Sequence, residues 1–154
     1  MSKGATSDPS HSQGGDTWLI FTRQNQLLGD HPITRGRDES ERVNRVQTFT
    51  GTSVKGPEGS VPILKLADTA VDLSMDDDKP VSAAGRAQGV AFRLGKGRVV
   101  VMGEAAELSA QVIGSGEKFG MNVPGLDNRQ MALNIMHWLS GLLEPREGAL
   151  KKAG

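Results

Sequence analysis

The sequence predicts an α/β fold, an open sheet carrying one β-hairpin and flanked by helices, and three observations predict it. The run Arg98-Val99-Val100-Val101-Met102 is nearly all apolar, as a strand covered on both faces is. Gly95-Lys96-Gly97 separates that run from residues 88–94, and a tight glycine turn between two strand patterns reads as a hairpin. After Asp127, the residues Met131, Ile135, Trp138, Leu139 and Leu142 recur at helical spacing. The chain's 154 residues suffice for one core, since single cores usually occupy about 100–200 residues.

The remaining elements follow in order. Residues 1–16 combine Ser, Gly, Asp and Pro without apolar periodicity and read as a disordered lead; residues 17–144 form the domain and 145–154 a charged tail. Residues 17–22, with Trp18, Leu19, Ile20 and Phe21, suit a buried strand, and Gly29-Asp30-His31-Pro32 a turn. Residues 42–50 alternate as a strand does. A short strand over 61–66 contains Pro62, which confines it to an edge or a strand start. Residues 72–80 read as an acidic loop and residues 104–113 as a helix. Asp127 with Gln130 has the pattern of a capping box, Gln130, Asn134 and His137 fall on the polar face of the last helix, and Glu144-Pro145 ends it.

Composition excludes several function classes. Lys and Arg together number 18, as do Asp and Glu, so no net field advertises nucleic acid or an anionic membrane as the partner. Cysteine is absent, which removes disulfides, thiolate metal sites and cysteine nucleophiles. No apolar run approaches the roughly 18 residues of a spanning helix, and residues 1–15 lack the apolar stretch of a secretory signal, so a cytoplasmic location is expected. Gly89 to Lys96 misses the phosphate-loop spacing and is followed by a strand pattern; no Gly-x-Ser-x-Gly elbow occurs. The three histidines, His11, His31 and His137, have no zinc-ligand spacing.

Two residues stand out for chemistry. His31 lies in a loop beside Asp30, with Arg35 four residues on; it reads either as a backbone cap in a His-Pro turn or as an acid–base group titrating near neutral pH. Glu104 follows Gly103 at a strand's carboxyl end, where open α/β sheets hold ligands, and reads equally as a carboxylate at a helix start. Asp72, Asp76, Asp77 and Asp78 supply oxygen donors of the type a hard cation takes, but the EF-hand pattern fails, since position six is Asp77 and position twelve Ala83. A solvated acidic loop fits them better.

Three segments in this order, GDHPITRGR at 29–37, GKGRVVVMGEAAELSAQ at 95–111 and DNRQMALNIMHWLSGLL at 127–143, resemble the class I glutamine amidotransferase-like superfamily, in particular its bacterial ThuA-like and DUF4350-like branches. The resemblance spans roughly residues 18–143 and is narrowed by the His-Pro-Ile-Thr string and the Asp-Asn-Arg helix entry. It implies a three-layer, open and partly parallel sheet, with His31, Arg35, Glu104, Glu107 and Asp127 brought to one edge. Glutaminase chemistry is excluded, because that family's nucleophile is a cysteine. The segment before His31 is too short for a first βαβ unit, which needs about 30 or more residues, so the fold is expected in truncated form.

Two functional classes follow. One is a small non-cysteine hydrolase of an ester, lactone or amide carbonyl in a small-molecule substrate. In it His31 or Glu104 activates water, Arg35 stabilises the oxyanion, and a divalent ion, Ca²⁺ or Zn²⁺, is an optional assistant. The other is a non-catalytic amidotransferase-like module that binds a carbohydrate, a peptide or a partner subunit. A truncated sheet also has an edge or apolar face to hide, so a homo-oligomer is expected, with Trp18, Leu19, Ile20 and Phe21 as its surface.

Overall fold

The computed structural model describes residues 4–74 and 79–143. Within them the chain runs β1 (Thr6–Ser7), β2 (Ile20–Thr22), α1 (Pro32–Arg35), β3 (Arg45–Gln47), β4 (Val61–Lys65), β5 (Val71–Asp72), β6 (Val81–Ser82), β7 (Ala87–Leu94), β8 (Gly97–Met102), β9 (Ala110–Val112), β10 (Lys118–Gly120) and α2 (Asn128–Leu139). The mixture of strand and helix is as expected, but the sheet is not. The strands form four small sheets, ordered β4-β7-β8, β1-β5-β6, β2-β3 and β9-β10, and every described pair is antiparallel. The three-layer, partly parallel sheet is therefore corrected. Its physical requirement, a crossover of a dozen or more residues after β8, is missing. Residues 104–113 do not form the expected helix; they give one 3₁₀ turn, Ala106–Leu108, and then β9, which Gly114-Ser115-Gly116 folds back onto β10.

The hairpin stands as read, with Gly89 opposite Met102 and Leu94 opposite Gly97. Pro62 lies in β4, which is terminal in its sheet, and the register shifts between Pro62 and Leu64, so the missing N–H costs no ladder bond in the sheet interior. β8 is the opposite terminal strand; Val101 is 40% exposed, so the expectation of a strand covered on both faces fails. Leu19, Ile20 and Phe21 are buried, which removes them from any docking surface.

The core gathers Leu19, Phe21, Ile33, Val43, Val46, Ile63 and Leu64 against Met131, Ile135 and Trp138 of α2. This helix buries the predicted apolar positions 131, 135 and 138, whereas Leu139 and Leu142 are exposed. It ends at Leu139, before Glu144-Pro145 is reached. The capping box does not form: Gln130 donates to Asn134, and the Asp127 carboxylate instead accepts from the backbone N–H groups of Asn44 and Arg45 at 2.7 and 3.0 Å. Asn134, placed by periodicity on the polar face, is fully buried, because its Nδ2 donates to the carbonyls of Ile33 and Glu41, both at 2.8 Å.

The described part of the lead, residues 4–16, is ordered, another correction. Apolar burial does not hold it; hydrogen bonds do. Thr6 N–H donates to Gly51 O at 2.8 Å, Thr6 Oγ1 to Asp72 Oδ1 at 2.7 Å, and Asp8 accepts from Ser10 and Thr69. The same bonds draw Asp72 out of the expected acidic loop into β5, where it is 4% exposed. Among the described residues no helix is long and apolar enough to cross a membrane.

Asn134 offers a direct test. Truncation to alanine leaves two buried carbonyls without a donor, so Asn134→Ala is expected to lose roughly 2–4 kcal/mol of unfolding free energy in urea titration. A loss below about 0.5 kcal/mol, the range of ordinary surface substitutions, would show that the helix is not held this way.

Candidate functional site

Three segments converge on Glu104. Gly103 N–H donates to Gln88 O of β7 at 2.7 Å, and Thr52 N–H donates to Gly103 O at 3.0 Å, so the loop after β3 lies directly against the end of β8. Glycine is needed there, since a Cβ on Gly103 would stand 1.9 Å from Thr52 O. Glu104 then turns back over that loop, and the Phe49 N–H reaches both of its carboxylate oxygens at 2.7 Å. A Cβ added to Gly51 would meet Gln88 Nε2 at 2.9 Å and Glu104 Cβ at 3.0 Å, which places the amide of Gln88 beside Glu104.

The polar atoms in this cluster are incompletely matched. Glu107, on the 3₁₀ turn, is 1% exposed and neither of its carboxyl oxygens has a partner among the described residues. Gln88 is fully buried; its Oε1 accepts from Thr48 Oγ1 at 2.6 Å while its Nε2 has no acceptor. Buried groups left unpaired cost about 1–3 kcal/mol each, so they persist only where something else requires them. Thr50, between Phe49 and Gly51, has φ 84°, a left-handed conformation that a β-branched residue rarely adopts. Trp18, Phe49 and Phe119 pack edge to face beside the loop, with centroids 5.2–5.4 Å apart.

Burial sets the electrostatics. It pushes the Glu104 carboxyl up to about 7, against a smaller pull downward from the Phe49 N–H. Burial also raises Glu107 well above the ordinary carboxylate range, and the neighbouring Glu104 charge adds to it. Both carboxyls of the pair therefore hold their protons more firmly than free glutamates. A half-buried carboxylate of that strength can take a proton from water or from a substrate.

The other predicted site residues lie in different bonding networks. His31 is the N-cap of α1: its Nδ1 accepts from Ile33 N–H at 3.2 Å, and Thr34 Oγ1 accepts from His31 N–H, also at 3.2 Å. Its ring meets Trp138 edge to face at 4.9 Å. Burial, with Arg35 adding to it, lowers the ring to about 4, so it stays neutral as the cap requires. Arg35 pairs with Asp30 at 2.6 Å on the exposed surface. Asp127 clasps β3, as above. Of the five candidates the structure brings together Glu104 and Glu107 and leaves His31, Arg35 and Asp127 in backbone and surface contacts. Asp76, Asp77 and Asp78 lie outside the described residues. Among the described residues no group of three or more His, Cys, Asp or Glu converges as a metal site.

Sequence reasoning missed Gln88, Thr48 and Asn128. A signal existed for the first, a glutamine inside the otherwise apolar stretch Ala87-Gln88-Gly89-Val90-Ala91. Asn128 joins the site from below: its Nδ2 donates to Gln47 O and to Glu107 O, at 2.8 and 3.2 Å. Comparison with protein-family models, curated proteins and solved structures finds no match for this chain.

The raised carboxyls fix the sign of a pH effect. Glu104 and Glu107 bind protons more tightly folded than unfolded, so their contribution is fully present below about pH 4.5 and is lost as pH rises through the folded value, about 7 for Glu104. Glu107→Met removes a buried carboxyl without adding a polar atom. It is expected to raise unfolding free energy by about 1–3 kcal/mol, with the larger gain at pH 8 than at pH 5. Equal effects at the two pH values would remove the titration argument.

Proposed function

We propose that this chain is a small non-cysteine hydrolase acting on an ester, lactone or amide carbonyl of a small molecule, with Glu104 as the general base that activates water. The observation that carries the reading is the placement of Glu104: a half-buried carboxylate at the end of β8, fixed by a single N–H, beside a buried unpartnered carboxyl. An ordinary surface glutamate is too weak a base at neutral pH; burial brings this one to the range where general-base catalysis is efficient. Glu107 supplies the buried carboxyl behind it, and the unpartnered Gln88 amide is the donor this reading assigns to a developing oxyanion. In this reading His31 and Asp127 position backbone, Arg35 pairs with Asp30 at the surface, and a divalent ion, Ca²⁺ or Zn²⁺, is an optional assistant.

A second reading, a non-catalytic amidotransferase-like module, is favoured by the partly exposed rings of Trp18 and Phe119 packed on Phe49, whose N–H holds Glu104; such rings suit the face of a carbohydrate or the side chain of a peptide. The two readings separate in one experiment. Glu104→Gln is expected to lower turnover of activated esters and lactones by about 10²–10⁴-fold, and the wild-type rate to rise with pH along a limb centred near 7. His31→Asn, which keeps a capping acceptor, should leave turnover unchanged. Full activity in Glu104→Gln, or no hydrolysis across a panel of esters, lactones and amides, would leave the binding module.

The homo-oligomer is retained in the proposal with a different surface. Leu133, Met136 and Leu142 are 46%, 64% and 54% exposed along and just beyond α2, whereas Leu19, Ile20 and Phe21 are buried. Light scattering is expected to give at least twice the 16.4 kDa chain mass at high concentration; a monomer mass would overturn it.

A further inference from the structure

β8 is a terminal strand, and no described strand pairs with its outer edge. Gly103 N–H donates to Gln88 O, and backbone groups alternate along an antiparallel strand, so Val99 and Val101 turn their N–H and C=O groups toward β7. Val100 and Met102 therefore turn theirs away from the sheet, and none of these four groups has a hydrogen-bond partner among the described residues. The opposite edge of the same sheet is closed. Along β4, Gly29 N–H donates to Ile63 O and Lys65 N–H to Leu27 O, at 2.9 and 2.8 Å, and Leu28 bridges Leu64. Pro62 and a register shift interrupt the rest of that edge.

β8 carries none of the devices that keep an edge from pairing. It has no proline, its ladder with β7 runs from Met102 to Gly97 without a bulge, and residues 99–102 bear no charge. Its side chains divide between two faces. Val100 and Met102 pack against the core that contains Met131, Ile135 and Trp138 of α2, while Val101, on the other face, is exposed.

We propose that two copies of this chain join through β8, antiparallel and with Val100 opposite Val100 of the second copy, so that two three-stranded sheets become one. This pairing rests on the homo-oligomer reading and assigns it a strand. Charge selects the register. Centred on Arg98, the pairing would set two guanidinium groups directly opposite; centred on Val100, each Arg98 faces Met102 and the two arginines stand four residues apart along the strand. Val99 then lies opposite Val101 of the other copy, and a row of four valines covers the side chain left exposed in one copy. Both copies of α2 stand on one face of the joined sheet. A Cβ on Gly141, just past α2, would lie 3.3 Å from Arg98 Nη2, so the end of the helix adjoins the seam, and Leu139 and Leu142 are exposed there. A strand edge alone is too narrow for the roughly 1,200–2,000 Å² of a stable dimer, and these side chains supply the remainder.

Light scattering of the full chain and disulfide trapping test this. The chain has no cysteine, so a single introduced thiol has no competitor. Val99→Cys mixed with Val101→Cys under air oxidation is expected to give a disulfide-linked heterodimer, because opposed residues of a non-hydrogen-bonded pair have Cα atoms about 4.5 Å apart, within disulfide reach. Leu94→Cys, more exposed but far from the seam partner, should not cross-link to Val101→Cys. Val101→Lys should keep its circular dichroism spectrum and weaken dimerisation at least about 10-fold. If Val101→Lys does not fold, the disulfide pattern alone decides. A dimer that persists in Val101→Lys, or Leu94→Cys trapping as efficient as that of Val99→Cys, would overturn the β8 pairing and leave the homo-oligomer on another surface. A monomer mass for the unmodified chain at high concentration would overturn both.

Discussion

Four short antiparallel sheets do not hold each other in place through their ladders. Backbone bonds between loops link them, and a row of polar side chains on α2, each bonded to the backbone of another element, fixes the β2-β3 sheet and α1 against the helix. At the start of α2, Asp127 accepts from Asn44 and Arg45, while Asn128 accepts from Gln47 N–H and donates back to Gln47 O. Two turns on, Asn134 bridges Ile33 and Glu41. Each asparagine amide satisfies backbone groups that strands would satisfy in a larger sheet, and each is fully or almost fully buried, so none can be replaced by water without the elements parting. Met131, Ile135 and Trp138 supply the apolar area, but Leu or Met at those places would slide; the amides set the register.

The candidate site inherits that geometry. Asn128 holds the carbonyl of Glu107 with the same Nδ2 that holds β3, so the 3₁₀ turn and the loop after β3 are fixed by one group. Phe49 follows two residues after Gln47, and its N–H anchors Glu104. The position of the Glu104 carboxylate is thus set by a chain of contacts that begins on α2. The unpartnered atoms of Glu107 and Gln88, and the left-handed Thr50, collect at the end of this chain. Local rules are broken together at this place, which is the pattern of a site where function and stability compete.

Legibility in the sequence follows the range of the interaction. The hairpin at Gly95-Lys96 depends on residues adjacent in the chain, and so does the edge position of β4, because Pro62 lacks a donor whatever surrounds it. The apolar stripe of α2 was readable at Met131, Ile135 and Trp138. Asn134 was not, since its partners lie 101 and 93 residues away and its side chain is as polar as one that faces water. The order of the lead is hidden in the sequence for the same reason: Thr6 and Asp8 are held by hydrogen bonds to Asp72 and Thr69, which composition does not encode. Residues 104–113 contain Ala, Glu and Leu and so predict a helix, yet the turn that follows pairs β9 with β10, and ladder bonds outweigh a propensity of a few tenths of a kcal/mol per residue. Glu104 was visible as a strand-end carboxylate; that it loses company with His31 was not, because the parallel sheet which would have joined them depends on a crossover the chain does not make.

The pH dependence of the two buried networks ties these points together. His31 must be neutral to cap α1, and its ring is held at about 4 against an ordinary 6.5, so its contribution is lost as pH falls through that interval. Glu104 works in the opposite sense, losing its contribution as pH rises from about 4.5 to about 7. Between these limits the two slopes oppose each other, and stability is expected to vary little there although both groups titrate. Above that interval only the carboxyls act. The chain then carries an uncompensated charge at Glu104, where an unfolded carboxylate would be fully solvated, and this cost is the same free energy that makes the group a base at neutral pH. Substituting it by an apolar residue removes that cost, so the raised proton affinity of Glu104 and the loss of stability at neutral pH are one quantity read in two ways.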